Sequence, residues 1–155
     1  IVSGPLVGTP GSRVDAMVHV VDILPTIAEI AGIDLSTVTR EDGAPLVLDG
    51  TSFLSILADP SAPWTRERIY VEKFAPSGAP PYPRTDVRML RDRDYKVIVN
   101  AVGARIEFFE LTPGVVDEGP DLLLSGEPLD SVRQAALDRL LDEIRATTDG
   151  MAYDW

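Results

Sequence analysis

The hydrophobic pattern divides the chain into two parts with different periods. Residues 18–32 begin as an apolar, strand-like run and continue with four apolar residues at helical spacing, Ile23, Ile27, Ile30 and Ala31. From residue 68 onward, short alternating runs typical of half-buried strands take over. The pattern therefore predicts a strand-to-helix joint in the first part and a small sheet in the second.

Three residues set the predicted limits of the first helix. Asp22 offers a carboxylate that can accept hydrogen bonds from the free amides of a first helical turn. Pro25 falls within that turn, where a missing amide hydrogen costs little. Gly32 supplies the left-handed residue that commonly ends a helix. We therefore expect Asp22 to cap a helix that ends at Gly32 and packs its apolar face on a core.

The second part predicts four strands and one helix. The strands are expected over Arg68–Phe74, Val87–Leu90, Tyr95–Val99 and Arg105–Leu111. An apolar stripe predicts a helix over residues 129–147, formed by Leu129, Val132, Ala136, Leu140, Leu141 and Ile144. The simplest assembly is a four-stranded antiparallel sheet covered by this C-terminal helix.

Four segments resemble the C-terminal half of sulfatases in the alkaline phosphatase superfamily. Residues 21–32, V-D-I-L-P-T-I-A-E-I-A-G, are similar to the family's V/I-D-x-x-P-T-x-x-x-x-A-G. Residues 48–54 are similar to its D-G-x-S-L, and residues 87–98 to its V-R-x-x-x-Y-K hairpin. Residues 107–111, E-F-F-E-L, stand where the family has E-L-Y-D-L. The segments follow the family's order and together cover about residues 1–145.

The resemblance implies an α/β fold that is α+β in its C-terminal part. Residues 1–60 would form the C-terminal end of a sulfatase catalytic domain, with residues 1–7 as a strand at the edge of its central sheet. Residues 61–155 would form a C-terminal subdomain of antiparallel sheet plus helix. The implied function is that of the C-terminal part of a hydrolase, arylsulfatase-like, that cleaves sulfate esters. The remainder of the sulfatase chain would be its partner.

The catalytic groups of that family are absent from this sequence. Sulfatases use a formylglycine made from Cys or Ser in C/S-x-P-x-R, and a calcium ion held by Asp and Asn residues with flanking Lys and His. The chain has no Cys, no such motif and only one His. No catalytic or metal-binding position can therefore be carried over. We expect the chain alone to be inactive, with calcium and formylglycine belonging to a preceding N-terminal part.

The single histidine and the scattered acids have structural interpretations. His19 lies between Val18 and Val20, which predicts a buried or half-buried strand histidine whose nitrogens are satisfied. The aspartates at 15, 22, 34, 42 and 49 match no known ligand spacing, and are expected to cap helices and solvate loops.

Substrate contact is expected instead near a proline-rich segment. Residues 75–83 contain four prolines and must form an extended loop. Around this loop lie Lys73, Tyr82, Arg84 and Arg88, whose cations suit an anionic group such as that of a sulfated sugar. In the family, such loops lean over the mouth of the active site. The alternative is a surface loop whose basic residues pair with the chain's own carboxylates.

Composition narrows the list of partners. With 14 basic and 25 acidic residues, the net charge of −11 opposes binding to nucleic acid or to an anionic membrane. The apolar runs are far shorter than the ~20 residues that span a bilayer. The resemblance implies a sulfated small molecule or sugar as the substrate. An exposed sheet edge and apolar face would favour self-association of the isolated chain.

Two alternatives stay open at this stage. A phosphonate or phosphate ester hydrolase of the same superfamily would carry the same C-terminal motifs. A non-catalytic binding domain derived from the fold would carry them as well. The apolar opening Ile1-Val2 favours the hydrolase over the binding domain, since a sheet strand usually needs its neighbours. Only a nucleophile region would separate sulfate from phosphonate or phosphate esters.

Overall fold

A computed structural model of the chain describes residues 1–75, 85–112, 114, 115 and 117–147. The chain divides into two compact units, one comprising Ile1–Arg66 and the other beginning at Glu67. In the described residues, no helix is long and apolar enough to cross a membrane.

The first unit contains short helical elements. A 3-10 turn, Val20–Asp22, leads into helix α1, Ile23–Ile30. A second 3-10 turn covers Leu35–Thr37, and helix α2 covers Leu54–Ala58. Helix α1 ends as the sequence predicts, at Gly32, which has a φ of +70°. The Gly32 amide donates to the Glu29 carbonyl, and the Ile33 amide donates to the Ala28 carbonyl. These two bonds form a Schellman motif, which satisfies carbonyls at the helix end.

The predicted strands at residues 1–7 and at the start of the 18–32 segment are not formed. Among the described residues of this unit, the only β-type pairing is an isolated bridge between Thr39 and Pro45. A strand needs a neighbour to satisfy its amides and carbonyls, and these segments have none. They follow irregular paths instead, and the second one turns directly into the Val20–Asp22 element.

The apolar face of α1 does not pack on a core within the described residues. Ile23, Ile27 and Ile30 are 47%, 57% and 49% exposed, whereas Thr26 and Ala28 are buried. The prediction of a core-facing isoleucine stripe is therefore wrong for this structure. Periodicity identifies which face of a helix is apolar, but it does not supply the surface that covers it.

The second unit is a meander of four antiparallel strands in the order β1-β2-β3-β4. The strands are Ile69–Ala75, Thr85–Arg91, Tyr95–Asn100 and Arg105–Glu110. Asp92 closes the β2–β3 hairpin, because its carboxylate accepts the amides of Asp94 and Tyr95 at 2.8 and 2.7 Å. The predicted four-stranded antiparallel sheet, and with it the α+β character of this part, is confirmed.

Helix α3, Ser131–Thr147, covers one face of this sheet. The core combines sheet and helix side chains: Leu90, Val97, Val99, Phe108, Ala136, Leu137, Leu140, Leu141 and Ile144. Two details differ from the predicted stripe. Val132 is 67% exposed, and Leu137, which the stripe omits, is buried. Asp130 caps the helix by accepting the amides of Val132 and Arg133, and chiefly the Arg133 bond lowers the pKa of Asp130.

Candidate functional site

The proposed substrate-contact residues are not gathered on one face of the sheet. In the β1–β2 pairing, Lys73 stands opposite Val87 and Arg88 stands opposite Glu72. Because successive side chains alternate between faces, Lys73 and Arg88 lie on opposite faces. Lys73 is exposed, whereas the side chain of Arg88 is fully buried. Tyr82 and Arg84 lie outside the described residues.

Arg88 lies in a buried polar cluster on the helix-covered face. Its Nε is 3.4 Å from Asp86, itself almost fully buried, and 3.9 Å from Glu72. Its guanidinium also lies over the Phe74 ring, 5.4 Å from the ring centre. Buried charges are retained where counter-charges and aromatic faces replace water. The geometry therefore suits Arg88 to holding β1 and β2 together.

Tyr70 completes this cluster. Its hydroxyl donates to the Glu72 carboxylate, and the two residues are neighbours on the same face of β1. Burial, reinforced by that carboxylate, raises the pKa of Tyr70 well above its usual range. The phenol therefore stays protonated at neutral pH, and it can donate a hydrogen bond but cannot act as a base.

In the first unit, Asp22 is the most constrained ionisable group. It is fully buried; one carboxylate oxygen accepts the His19 amide at 2.7 Å, and the other accepts the Thr51 amide at 2.8 Å. The same second oxygen pairs with Arg66. The expected cap at the start of α1 is absent, because these partners, rather than the amides of the first turn, occupy the carboxylate.

Thr26 provides a second connection between the same two segments. Its hydroxyl donates to the Asp22 carbonyl at 2.6 Å and accepts the Phe53 amide at 3.0 Å. Gly50 lies so close to the 3-10 turn that an added Cβ would stand 2.0 Å from the Val21 carbonyl oxygen. The segment around α1 and the D-G-T-S-F segment are thus one hydrogen-bonded structural element.

His19 has a local structural role. It is half-buried, and its Nδ1 accepts the Val21 amide at 3.4 Å. It stands at the start of a 3-10 turn rather than in a strand. The prediction of a strand histidine is therefore wrong, although His19 is half-buried as expected and one of its ring nitrogens accepts a hydrogen bond.

A cleft of about 170 Å³ lies beside the Asp22–Arg66 pair. It is lined by Asp49, Thr51, Trp64, Thr65 and Arg66. Residues 64–66 have no pattern that predicts a site, because they follow a proline in a segment with no hydrophobic period. Their only sequence signal is an aromatic residue and a cation within three positions.

Metal binding has no candidate in the described part of the chain. No group of three or more His, Cys, Asp or Glu side chains there is arranged to hold an ion. The described residues therefore provide no such ligand set for the calcium ion that the resemblance implies.

Comparison with known proteins identifies related structures but no family model and no curated protein. One related structure is a putative sulfatase from Bacteroides thetaiotaomicron, with 23% identity, a TM-score of 0.52, and 83% of this chain covered. Another is the phosphonate monoester hydrolase SpPMH from Silicibacter pomeroyi, with 20% identity, a TM-score of 0.58, and 90% covered.

The chain spans only 24% and 27% of the lengths of these two structures. Similarity at these identities establishes the fold and leaves the reaction open. The four motifs and the structural matches agree in pointing to the same group of proteins. This chain has the fold of one part of two larger proteins, a putative sulfatase and a phosphonate monoester hydrolase.

Proposed function

We propose that this chain is the C-terminal part of a sulfatase-like hydrolase that cleaves sulfate esters. In this proposal it contributes scaffold and part of the substrate rim, and the catalytic groups belong to the remainder of the polypeptide. The observation that carries the proposal is the structural match over 83% and 90% of the chain to two much longer proteins named for ester hydrolysis.

The hydrogen bonds of the first unit support the proposal. The motif positions Asp22 and Thr26 bind the amides of Thr51 and Phe53 in the second motif. The residues that carry the sequence resemblance are therefore the ones that hold the two segments together. A resemblance at fold-determining contacts is less readily explained by chance than one at exposed positions.

The exposed apolar face of α1 supports a larger assembly. Five large aliphatic side chains on or next to α1 are each 47–57% exposed: Ile23, Leu24, Ile27, Ile30 and Ile33. Exposed large apolar side chains that cluster on one short helix are typical of an interface. We assign this face to the remainder of the hydrolase polypeptide, since the related structures are about four times as long as the matched part.

The proposed substrate rim includes Lys73. Lys73 is exposed on β1 and carries a cation that suits a sulfate oxygen. Tyr82 and Arg84 belong to the same proposed rim. Arg88 would not contact the substrate, because its guanidinium is buried against Asp86 and over the Phe74 ring. It would support the rim indirectly, by holding β1 and β2 together.

Phosphonate monoester hydrolysis is the second candidate reaction. It is favoured by the SpPMH match, which has the higher TM-score of 0.58 and covers more of this chain. Sulfate and phosphonate monoesters both present an anionic tetrahedral centre, so the described scaffold does not discriminate between them. The nucleophile and its metal site would determine which of the two esters is cleaved.

The test is to isolate the native polypeptide from its source with an antibody raised against residues 131–147. Its intact mass is measured, and it is assayed with 4-nitrophenyl sulfate and with 4-nitrophenyl phenylphosphonate. We expect a polypeptide several times heavier than 16.8 kDa that hydrolyses the sulfate ester faster. Faster hydrolysis of the phosphonate would favour the second reaction. A native mass near 16.8 kDa without hydrolysis of either ester would overturn both.

A further inference from the structure

Two Asp–Gly steps lie in the described residues, Asp42–Gly43 and Asp49–Gly50. Such a step carries both reactants of an intramolecular rearrangement, a side-chain carboxyl group and the amide nitrogen of the next residue. Glycine favours the reaction, because it has no Cβ to hinder the approach of the two groups. Since the reacting dipeptides are identical, a difference in their reactivity in the folded chain has to come from the surrounding structure.

The turn around Asp42 holds both reacting groups. The Gly43 amide donates to the Arg40 carbonyl at 2.9 Å, which occupies its N–H. One Asp42 carboxylate oxygen accepts the Ala44 amide at 3.0 Å, and the other lies 3.4 Å from the Arg40 guanidinium. Attack of the Gly43 nitrogen on the Asp42 carboxyl carbon therefore requires these contacts to break first.

The Asp49–Gly50 step has neither restraint. The Gly50 amide donates no hydrogen bond to another described residue, and the Asp49 carboxylate has no hydrogen bond or ion pair with one. Asp49 is exposed, so its side chain can rotate toward the Gly50 nitrogen without breaking such a contact. The barrier that the turn adds at Asp42 is therefore not added at Asp49.

We propose that Asp49 is a site of spontaneous isomerisation in the folded chain, and that Asp42 is protected from the same reaction. The Gly50 nitrogen bonds to the side-chain carboxyl carbon of protonated Asp49, and the carboxyl hydroxyl leaves as water with the amide proton. This step closes a succinimide ring. Water then adds to the main-chain carbonyl carbon of Asp49, whose bond to the Gly50 nitrogen breaks, and that nitrogen regains a proton. The product is isoaspartate, in which the chain continues through the former side chain and the mass is unchanged.

Isomerisation would disturb the connection between this segment and the segment around α1. The product carries an additional carbon atom in the backbone directly before Gly50. Gly50 has little space to move, since a Cβ there would stand 2.0 Å from the Val21 carbonyl oxygen. The next residue, Thr51, donates its amide to the buried Asp22 carboxylate at 2.8 Å. We expect this bond to be lost in the isomerised chain, which leaves the buried carboxylate with one donor fewer.

The experiment ages the 155-residue chain at neutral pH, folded and in guanidinium chloride. Peptide mapping with electron-transfer fragmentation measures isoaspartate at Asp42 and Asp49 over time. In the folded chain we expect it to form at Asp49 at least about fivefold faster, because the contacts of Asp42 add to its barrier. In denaturant both positions should react at similar rates. Equal or faster reaction at Asp42 in the folded chain would overturn the proposal. The folded-state ratio persisting in denaturant would overturn it as well, because the fold would not cause the difference.

Asp49→Glu is the matched variant, because it keeps the negative charge but has to close a larger ring to react. Hydrogen exchange of the Thr51 amide is followed in parallel. Its protection should fall in the parent chain as isoaspartate forms, and stay constant in Asp49→Glu. Constant protection in a parent chain that contains isoaspartate at Asp49 would contradict the expected loss of the bond to Asp22. The reaction needs only this chain and water, so failure of the proposed hydrolase function leaves this result unaffected.

Discussion

The hydroxyl of Thr26 accepts the backbone amide of Phe53 at 3.0 Å while donating to the carbonyl of Asp22 at 2.6 Å. One buried side chain thus satisfies two backbone groups that are 31 positions apart in the sequence. This arrangement makes Thr26 a connection between two segments rather than part of a ligand site.

Thr26→Val should therefore destabilise the first unit. Valine has nearly the same shape, but it leaves the Phe53 amide without its acceptor, at a cost of about 1–3 kcal/mol. Native-state hydrogen exchange of the Phe53 and Thr51 amides measures the local effect directly. Thr26→Ser retains the hydroxyl and is the matched control, which should keep Phe53 protection within a fewfold of the parent. Equal protection of Phe53 in the valine variant would refute the assigned role.

Such long-range contacts explain why the first unit was harder to predict than the second. Asp22 reaches Thr51 across 29 positions and Arg66 across 44, and no local pattern encodes either partner. Its expected role as a helix cap followed from local propensity alone, and tertiary partners replaced it. The cleft at Arg66 was missed for the same reason.

The second unit could be predicted because its signals are local. Alternation along β2 and β3 places Leu90 opposite Val97, and the register of a hairpin follows from its turn at Asp92. The period of α3 identified most of its buried face. It failed at Val132, which lies in the first turn of the helix and is 67% exposed.

Substitutions at Leu140 and Val132 test which face of α3 packs on the sheet. Leu140 is fully buried, and Leu140→Ala should cost about 2–5 kcal/mol because it leaves a cavity against the sheet. Val132 is 67% exposed, and Val132→Ala should change the free energy of unfolding by no more than about 0.5 kcal/mol. Urea unfolding followed by circular dichroism gives both values. Similar losses in the two variants would contradict the helix orientation described here.

The exposed face of α1 should control the solution behaviour of the isolated chain. Ile27 and Ile30 are 57% and 49% exposed, so Ile27→Gln combined with Ile30→Gln removes apolar area without emptying a core. We expect the parent chain to self-associate with rising concentration and the double variant to do so less. Sedimentation velocity over a concentration series makes the comparison. A control pair on α3, Gln134→Ala with Asp138→Ala, should leave self-association unchanged. If the Ile27→Gln and Ile30→Gln variant self-associates as strongly as the parent chain, α1 does not form the apolar interface.

Acid should weaken the β2–β3 hairpin through Asp92. Although burial alone would raise the pKa of this carboxyl, hydrogen bonds from Arg139, Tyr95 and Asp94 and the Arg139 charge outweigh it and lower the pKa. A lowered pKa means that the stabilisation is present above the unfolded-state pKa of about 3.9, and is lost as pH falls through the still lower folded-state value. The free energy of unfolding should therefore fall as the pH is lowered below about 4.

The substitution that isolates this effect is Asp92→Asn, which cannot titrate. It should reduce stability at neutral pH, because the charged partner of Arg139 is gone, and flatten the stability profile below pH ~4. Asp94→Asn is the control within the same turn, since Asp94 is exposed and its carboxylate has no hydrogen bond or ion pair among the described residues. Urea midpoints measured across the acid range distinguish the two. If Asp92→Asn keeps the parent's full acid slope, the carboxylates responsible lie elsewhere and the hairpin does not depend on the charge of Asp92.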